Sequence, residues 1–309
     1  MSRTVLLLLC SQLVFIVVDV RAAEEDEQKA ESVGAVDVGA AEGAGGIEWH
    51  DVYGDAMRVA KAQQKMMFVW FHSAPESRFD RWFETVALRN AKVAPLLDRY
   101  IPVKLSTGAR ITVDGKEQRV LDHPAFQELN HSPGMAIIDF ANPNTEHYGY
   151  VVTTLPFVPG KYYRFRPEHL AVALDLPAGT LTQRTLIFAV RIHPERPAST
   201  RGQIDPNLLK EAKSHSNYQA TIRVQGHHHW GHRFPRLRRL LFGLQPQEIV
   251  AESWPQEGLV DAAVDVVDSW HHSSGHWQAV YSNQNRFGYD MKKGGNGIWY
   301  ATGLFGNNR

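Results

Sequence analysis

The single cysteine, Cys10, is the feature that most constrains how this 309-residue chain can fold. It lies in an apolar run from Val5 to Val18, which follows a positively charged start in the pattern typical of a signal peptide. Val20 to Ala22 then occupy the positions that a signal peptidase recognises, which predicts cleavage before Ala23. The mature chain would contain no cysteine, so its hydrophobic cores must stabilise it without any disulfide.

Two alternative interpretations of the apolar run are weaker. An uncleaved membrane anchor needs about 20 residues to cross a bilayer, and the run is shorter than that. Lipidation requires a small residue before the cysteine, and Leu9 stands there instead. The sequence therefore predicts a secreted or periplasmic protein with no stable membrane span.

Composition excludes some classes of partner. Lys and Arg together number 33, as do Asp and Glu, so the formal net charge is zero. A chain with this balance has no electrostatic basis for binding nucleic acid. Hydrophobic residues make up 43% of the chain, which is ordinary for a globular protein, and the length predicts about two domains.

Composition shifts and periodicity divide the chain into segments. Residues 23–46 contain no aromatic side chain and are predicted to be a flexible linker. The five predicted segments are a signal peptide (1–22), the linker (23–46), a first domain (47–156), a connector (157–179) and a second domain (180–309). Apolar spacing predicts helices over 55–64, 79–88, 93–100, 124–129, 181–190, 207–223 and 259–270. It predicts strands over 66–71, 101–105, 135–140, 147–152, 286–291 and 298–305.

The first domain resembles the thioredoxin-like family in the order of its elements. In that family a Trp-Cys-x-x-Cys turn follows the first apolar strand, and here the matching stretch runs from Phe71 to Phe79. Glu76 and Phe79 stand at the cysteine positions, while Ser132-Pro133 matches the family's cis proline. Disulfide exchange requires a thiolate, so the resemblance implies the fold without the reaction.

The second domain is similar to the CAP superfamily (cysteine-rich secretory, antigen 5 and pathogenesis-related proteins). The family signature Trp-x-x-Ser-x-Gly-His is matched by Trp270 to His276. The other matching positions are His215, His227, Ala251-Glu252-Ser253-Trp254, Phe287-Gly288-Tyr289 and Ile298-Trp299-Tyr300-Ala301. The two resemblances together imply an α/β protein, in which a thioredoxin-like domain is followed by an α/β/α sandwich CAP-like domain.

The CAP resemblance also implies a site. In the family, two histidines and two acidic residues line a cleft, and some members bind a divalent metal there. The resemblance places His227, Glu252 and His276 in this cleft. Glu248 is an alternative carboxylate, because the second acidic position of many members is taken here by His271 and His272.

Two interpretations of this cluster remain open. Two imidazoles and one carboxylate are a sufficient ligand set for zinc with one position left for water. The same groups could instead form a hydrogen-bonded structural cluster in a sandwich core. We expect His228, His229 and His232 to be surface neighbours. The basic run Arg233, Arg236, Arg238 and Arg239 is interpreted as a solvated face.

Two functional hypotheses follow. In the first, the chain is an exported non-redox protein whose CAP-like domain recognises an extracellular protein, a glycan or an apolar ligand. In the second, it is a metal-assisted hydrolase in which Glu252 is the candidate base and a metal held with His227 and His276 activates water. No catalytic residue is assigned, and fold alone does not decide between the two.

Overall fold

The computed structural model describes residues 46–113 and 115–308, and the chain from Gly45 onward forms one compact unit. The predicted signal peptide and all but the last residue of the linker lie outside the described residues. Within the described residues, no helix has the length and apolarity needed to cross a membrane.

The first half of the described chain, from Tyr53 to Pro156, contains both helices and strands. They are α1 (Tyr53–Gln63), β1 (Met66–His72), α2 (Arg78–Trp82) with a π-helical turn (Phe83–Ala87), α3 (Ala94–Leu97), β2 (Tyr100–Ser106), β3 (Arg110–Val113), β4 (Lys116–Arg119), 3-10 helices Val120–Asp122 and Pro124–Leu129, β5 (Gly134–Ile138) and β6 (Val151–Pro156). The predicted helices over 55–64 and 79–88 and the strands over 66–71, 101–105 and 135–140 are confirmed in type. The prediction over 93–100 is helical only from 94 to 97, 124–129 is a 3-10 helix, and 147–152 overlaps β6 only at 151–152.

The second half contains the remaining elements. They are a 3-10 helix (Tyr162–Arg164), α4 (Pro167–Leu174), α5 (Leu181–Ile192), a 3-10 helix (Ser199–Arg201), β7 (Gln203–Ile204), α6 (Pro206–Ile222), α7 (Trp230–Leu240), β8 (Gln245–Glu252), α8 (Leu259–His271), α9 (Ser274–Tyr281), β9 (Arg286–Lys293) and β10 (Trp299–Asn307). The predicted helices over 181–190, 207–223 and 259–270 and both closing strands are confirmed.

The first sheet has the strand order β2-β1-β5-β6, with β1 parallel to β2 and the other pairs antiparallel. Side chains of β1 alternate between its two faces, so Phe68 and Trp70 enter one hydrophobic core while Met67, Val69 and Phe71 enter another. This burial on both faces explains why β1 has a continuous apolar sequence rather than an alternating one.

One backbone expectation about this sheet is wrong. Among the described residues the cis peptide bond is Ala74–Pro75, and the Ser132–Pro133 bond that precedes β5 is trans.

The second sheet has the order β7-β9-β10-β8, and its three long strands are antiparallel. Helices α6 and α7 cover one face through Leu208, Ala212 and Leu237, which pack with Leu304 of β10. Helices α5 and α8 pack on the opposite side of the sheet. The sheet therefore lies between two helical layers, and the molecule as a whole is of the mixed α/β class.

Helix α5 lies where the two halves meet. It begins at a capping box in which Thr180 and Gln183 exchange hydrogen bonds, and it contacts both β6 and β9. The fully buried Arg184 donates to the Thr153 hydroxyl at 2.9 Å and to the Leu176 carbonyl at 2.9 Å. Residues of both predicted domains share one hydrophobic core, and the boundaries at 156 and 180 stay a prediction.

The segment 157–179 is more regular than the sequence predicts. Helix α4 lies within this connector and buries Leu170, Ala173 and Leu174. Further strands and helices had no clear apolar pattern and were missed, namely β3, β4, β7, α7, β8 and α9. Helix α7 contains Gly231 and Pro235, two residues that weaken any helix prediction.

Candidate functional site

The predicted site residues lie on three parts of the second half of the chain: the loop after α6, the edge strand β8 of the second sheet, and helix α9. Helix α6 ends at Ile222, and the left-handed conformation of the next residue, Arg223 (φ 59°), turns the chain into a loop that carries His227. Glu248 lies on β8, directly opposite Leu304 of β10. His276 lies in the first turn of α9.

Glu248 is the carboxylate at the centre of this cluster. Its side chain is only 1% exposed, and Oε1 lies 3.0 Å from Nδ1 of His227. Because a carboxylate only accepts, His227 donates through Nδ1, and its side chain is 45% exposed. The second oxygen, Oε2, is ion-paired with Arg233 and lies 3.5 Å from Nδ1 of His215.

Arg233 connects Glu248 to a second buried acid. Its Nε donates to Oε1 of Glu211 at 2.6 Å, and Arg236 pairs with the other oxygen of Glu211. Burial alone would raise the pKa of Glu211, but the hydrogen bonds from Arg233 and Arg236 outweigh it and hold that pKa below its usual value. Two carboxylates and two guanidinium groups therefore neutralise each other, and Arg233 is buried rather than part of a solvated face.

His215 forms the inner wall of the cluster. Its side chain is 2% exposed, and Nδ1 lies 3.2 Å from the hydroxyl of Thr302. Burial lowers the pKa of His215 to about 4, an effect that the nearby Glu248 only partly offsets. The imidazole is therefore neutral at physiological pH.

His227 and His276 lie side by side, with ring centroids 6.0 Å apart. Burial, and secondarily the neighbouring His227, lower the pKa of His276 below its ordinary value. The structure thus brings together His227 and His276, two of the three residues that the sequence assigned to a shared site.

Glu252 is the exception, and here the sequence-based assignment is corrected. It lies at the exposed end of β8, opposite Tyr300, and its side chain makes no hydrogen bond or ion pair with any described residue. Four residues along a strand separate the Cα atoms of Glu248 and Glu252 by about 13 Å. Glu248 is therefore the acid that meets His227.

A metal ion does not fit the predicted ligand set. Among the described residues, His227, Glu252 and His276 are not a group whose ligand atoms converge. Glu248 cannot simply replace Glu252, because both of its oxygens already face cationic or imidazole partners. We therefore derive no catalytic step through a metal at this position.

The neighbouring histidines have local partners. His228 is half-buried, with Nε2 lying 3.1 Å from the carbonyl of Val224, while Nε2 of His229 lies 3.1 Å from the hydroxyl of Tyr218. Helix α7 begins at Trp230, so His228 and His229 precede it and His232 lies in its first turn.

A compact group of candidate metal ligands does exist elsewhere, at the end of α8. Asp268, His271 and His272 each offer one ligand atom, and these atoms lie within 4.8 Å of one another. His271 Nε2 lies 2.8 Å from Oε1 of Glu195, in the segment after α5. The sequence shows that His271 and His272 follow the signature tryptophan, but it did not predict that they form a group with Asp268.

The turn after β1 contains ion pairs where the thioredoxin-like resemblance would place a dithiol. Glu76 lies 2.9 Å from Lys104 Nζ, and the hydrogen bond from Lys104 is the main cause of a lowered Glu76 pKa. Asp80 accepts hydrogen bonds from the backbone amides of Ser73 and Ser77. Phe79 packs against surrounding rings, including Phe165 at a centroid distance of 4.9 Å.

Comparisons with known proteins add little to this description. No protein-family model matches the chain, and no curated protein matches it. Among solved structures, the chain is similar to an outer surface protein from Borrelia burgdorferi, with 22% identity over 35% of this chain and 78% of that chain. The TM-score is 0.29, a value too low to support a statement about fold or function.

Sequence reasoning missed the charged residues behind the cluster. Glu211 lies one helical turn before His215 on the buried face of α6, and this i, i+4 spacing could have identified it. Arg233 had no such signal, because its neighbours Arg236, Arg238 and Arg239 suggested a solvent-exposed run. Only the packing of α7 against β8 distinguishes Arg233 from them.

Proposed function

We propose that this chain is an exported protein without redox activity, in which a CAP-like recognition part follows a redox-inactive thioredoxin-like part. Support for the first part comes from the order of elements from α1 to β6, which is a helix, a strand, two helices, a strand, a β-hairpin, two 3-10 helices and two strands. Support for the second comes from a sheet that lies between two helical layers. Export rests on the sequence pattern of residues 1–22.

The observation that carries the recognition function is the environment of Glu248. A general base must present a free lone pair to water, whereas this carboxylate is buried and paired with Arg233 and His227. The cluster therefore acts as a structural support that fixes the ring of His227. His227 and His276 are then available as contact residues for a partner, and the hydrolase alternative gains no observation in its favour.

The first part serves this function as a scaffold. Thiol–disulfide exchange requires a thiolate, and the residues at the two expected positions are Glu76, in an ion pair, and Phe79, in an aromatic cluster. Neither side chain can form or break a disulfide bond, so this part is assigned a structural or binding role.

The test combines binding with turnover. The full chain and the variants His227→Gln, His276→Gln and His232→Gln are compared for binding to immobilised extracellular proteins, glycans and lipids. We expect one ligand class to be bound, with binding weakened by His227→Gln and His276→Gln and unchanged by the exposed control His232→Gln.

Turnover assays decide between the hypotheses. We expect no insulin reduction and no zinc-dependent hydrolysis of ester, peptide or phosphoester substrates above background. Hydrolysis that disappears in both His227→Gln and His276→Gln would overturn the recognition proposal in favour of the hydrolase.

A further inference from the structure

The strongest unassigned cluster is the helix-end group, defined as Asp268, His271 and His272 at the C-terminal end of α8. Helix α8 spans 13 residues, and spacings of i, i+3 and i, i+4 place these three side chains on one face. The C-terminal end of a helix carries the negative end of its dipole, which favours a bound cation. Fold and electrostatics therefore both favour a cation here.

The ligand atoms are close enough for one ion. One atom from each residue lies within 4.8 Å of the others. A tetrahedral zinc ion with bonds of about 2.1 Å separates its ligand atoms by about 3.4 Å. The side chains of Asp268 and His272 are mostly exposed, so small rotations can bring their ligand atoms from the observed spacing to the spacing that zinc requires.

Each imidazole in the group keeps an available lone pair. His271 Nε2 lies 2.8 Å from the Glu195 carboxylate, which only accepts, so Nε2 carries the proton and Nδ1 holds the lone pair. His272 Nδ1 lies 2.8 Å from the carbonyl of Asp268, and Nε2 has no hydrogen-bond partner among the described residues. Each ring therefore has one nitrogen that no described residue engages in a hydrogen bond.

Glu195 supports the group from behind. Its Oε1 accepts from His271, and its Oε2 accepts from Nε1 of Trp277 at 2.9 Å. A carboxylate that holds the second nitrogen of a histidine is the arrangement found behind metal-ligating histidines, where it fixes the ring and increases its basicity. Glu195 is in this sense a positioning residue, and His193 lies beside it with its ring 5.1 Å from that of His271.

We propose that Asp268, His271 and His272 bind a zinc ion, with Glu195 orienting His271 and water completing the coordination. Two imidazoles and one carboxylate are a ligand set that suits zinc. Calcium and magnesium prefer oxygen ligands, and this set supplies them from a single carboxylate. All three ligands come from the end of α8, immediately before α9, so the ion would fix the junction that leads to His276. This site is independent of the proposed recognition function.

The test is a zinc titration of the full chain, purified without a histidine tag, by isothermal titration calorimetry. We expect saturable binding that Asp268→Asn and His272→Ala each weaken about tenfold or more. The matched control His232→Ala removes an exposed histidine outside the group and should leave the affinity unchanged. Unaltered far-UV circular dichroism of each variant verifies that it is folded.

Three further variants make the outcome specific. The double variant His227→Ala/His276→Ala should retain zinc binding, which separates this site from the recognition cluster. Glu195→Leu should weaken binding, and Glu195→Gln, which keeps an acceptor oxygen, should restore most of it. Absence of saturable binding, or binding that stays as tight in Asp268→Asn and His272→Ala as in the unsubstituted chain, overturns the proposal.

Discussion

Nδ1 of His227 lies 3.0 Å from Oε1 of Glu248, so an exposed imidazole is held by a carboxylate that is itself almost fully buried. This contact ties the loop after α6 to the edge strand β8. The buried end of the pair is balanced by Arg233, and the exposed end is the part that we propose for contact with a partner.

Substitution at Glu248 should destabilise the protein, whereas the same substitution at Glu252 should not. Glu248→Gln leaves Arg233 and His227 without their anionic partner, although Arg233 keeps its bond to Glu211. We expect the free energy of unfolding to fall by about 3 kcal/mol, the lower end of the range for breaking buried ion pairs. Glu252→Gln, on the same strand but exposed, should change it by less than about 0.5 kcal/mol. Urea denaturation at pH 7 measures both, and equal effects would contradict the placement of Glu248.

His215 should make stability depend on pH. The folded protein keeps this imidazole neutral down to a pKa of about 4, while the unfolded chain protonates near 6.5. Between these values the unfolded state binds more protons, so the free energy of unfolding falls as pH decreases, by up to about 1.4 kcal/mol per pH unit from this residue.

Comparison with His215→Gln isolates this contribution, because other titrating groups are common to both proteins. The difference in unfolding free energy between wild type and variant should decrease steadily as pH falls from about 6.5 to about 4. A difference that stays constant over this window would show that His215 titrates normally.

Gly288 should tolerate no side chain. A Cβ at this position would lie 2.5 Å from the backbone of Leu208 and Leu209, so α6 would have to move away from β9. We expect Gly288→Ala to lower the free energy of unfolding by about 1–3 kcal/mol, as overpacking does. Gly275→Ala in α9 is the control, since nothing lies within 4 Å of its Cβ, and alanine should be neutral or slightly stabilising there. Thermal unfolding monitored by circular dichroism measures the pair, and a larger loss at Gly275 would contradict this packing.

The mature protein should begin at or near Ala23. The apolar run that ends at Val18 and the residues from Val20 to Ala22 form the expected cleavage pattern. N-terminal sequencing of protein recovered outside the cytoplasm checks this, and an intact Met1 in the soluble fraction would contradict it.

The sequence alone determined much of the local structure. The apolar run of β1 and the helical spacing from Leu259 to Trp270 were sufficient to predict a strand and a helix, because burial on two faces or on one stripe leaves a periodic pattern. The absence of cysteine from the expected turn likewise needed no coordinates. Elements without such periodicity, including β8 and α7, could not be recognised because polar residues, glycine and proline obscure their buried positions.

Only the tertiary structure decided which carboxylate belongs to the cluster. Glu248 and Glu252 lie on the same face of β8, so sequence periodicity treats them alike. The register of β8 against β10 places Glu248 opposite Leu304, beside α7 and His227, and Glu252 opposite Tyr300 at the exposed end. Burial of Arg233 was decided in the same way, because the contacts that neutralise it come from Glu211 and Glu248, 22 residues before it on α6 and on the adjoining strand. Local sequence patterns fix which elements form, whereas pairing between distant elements fixes which charged groups meet.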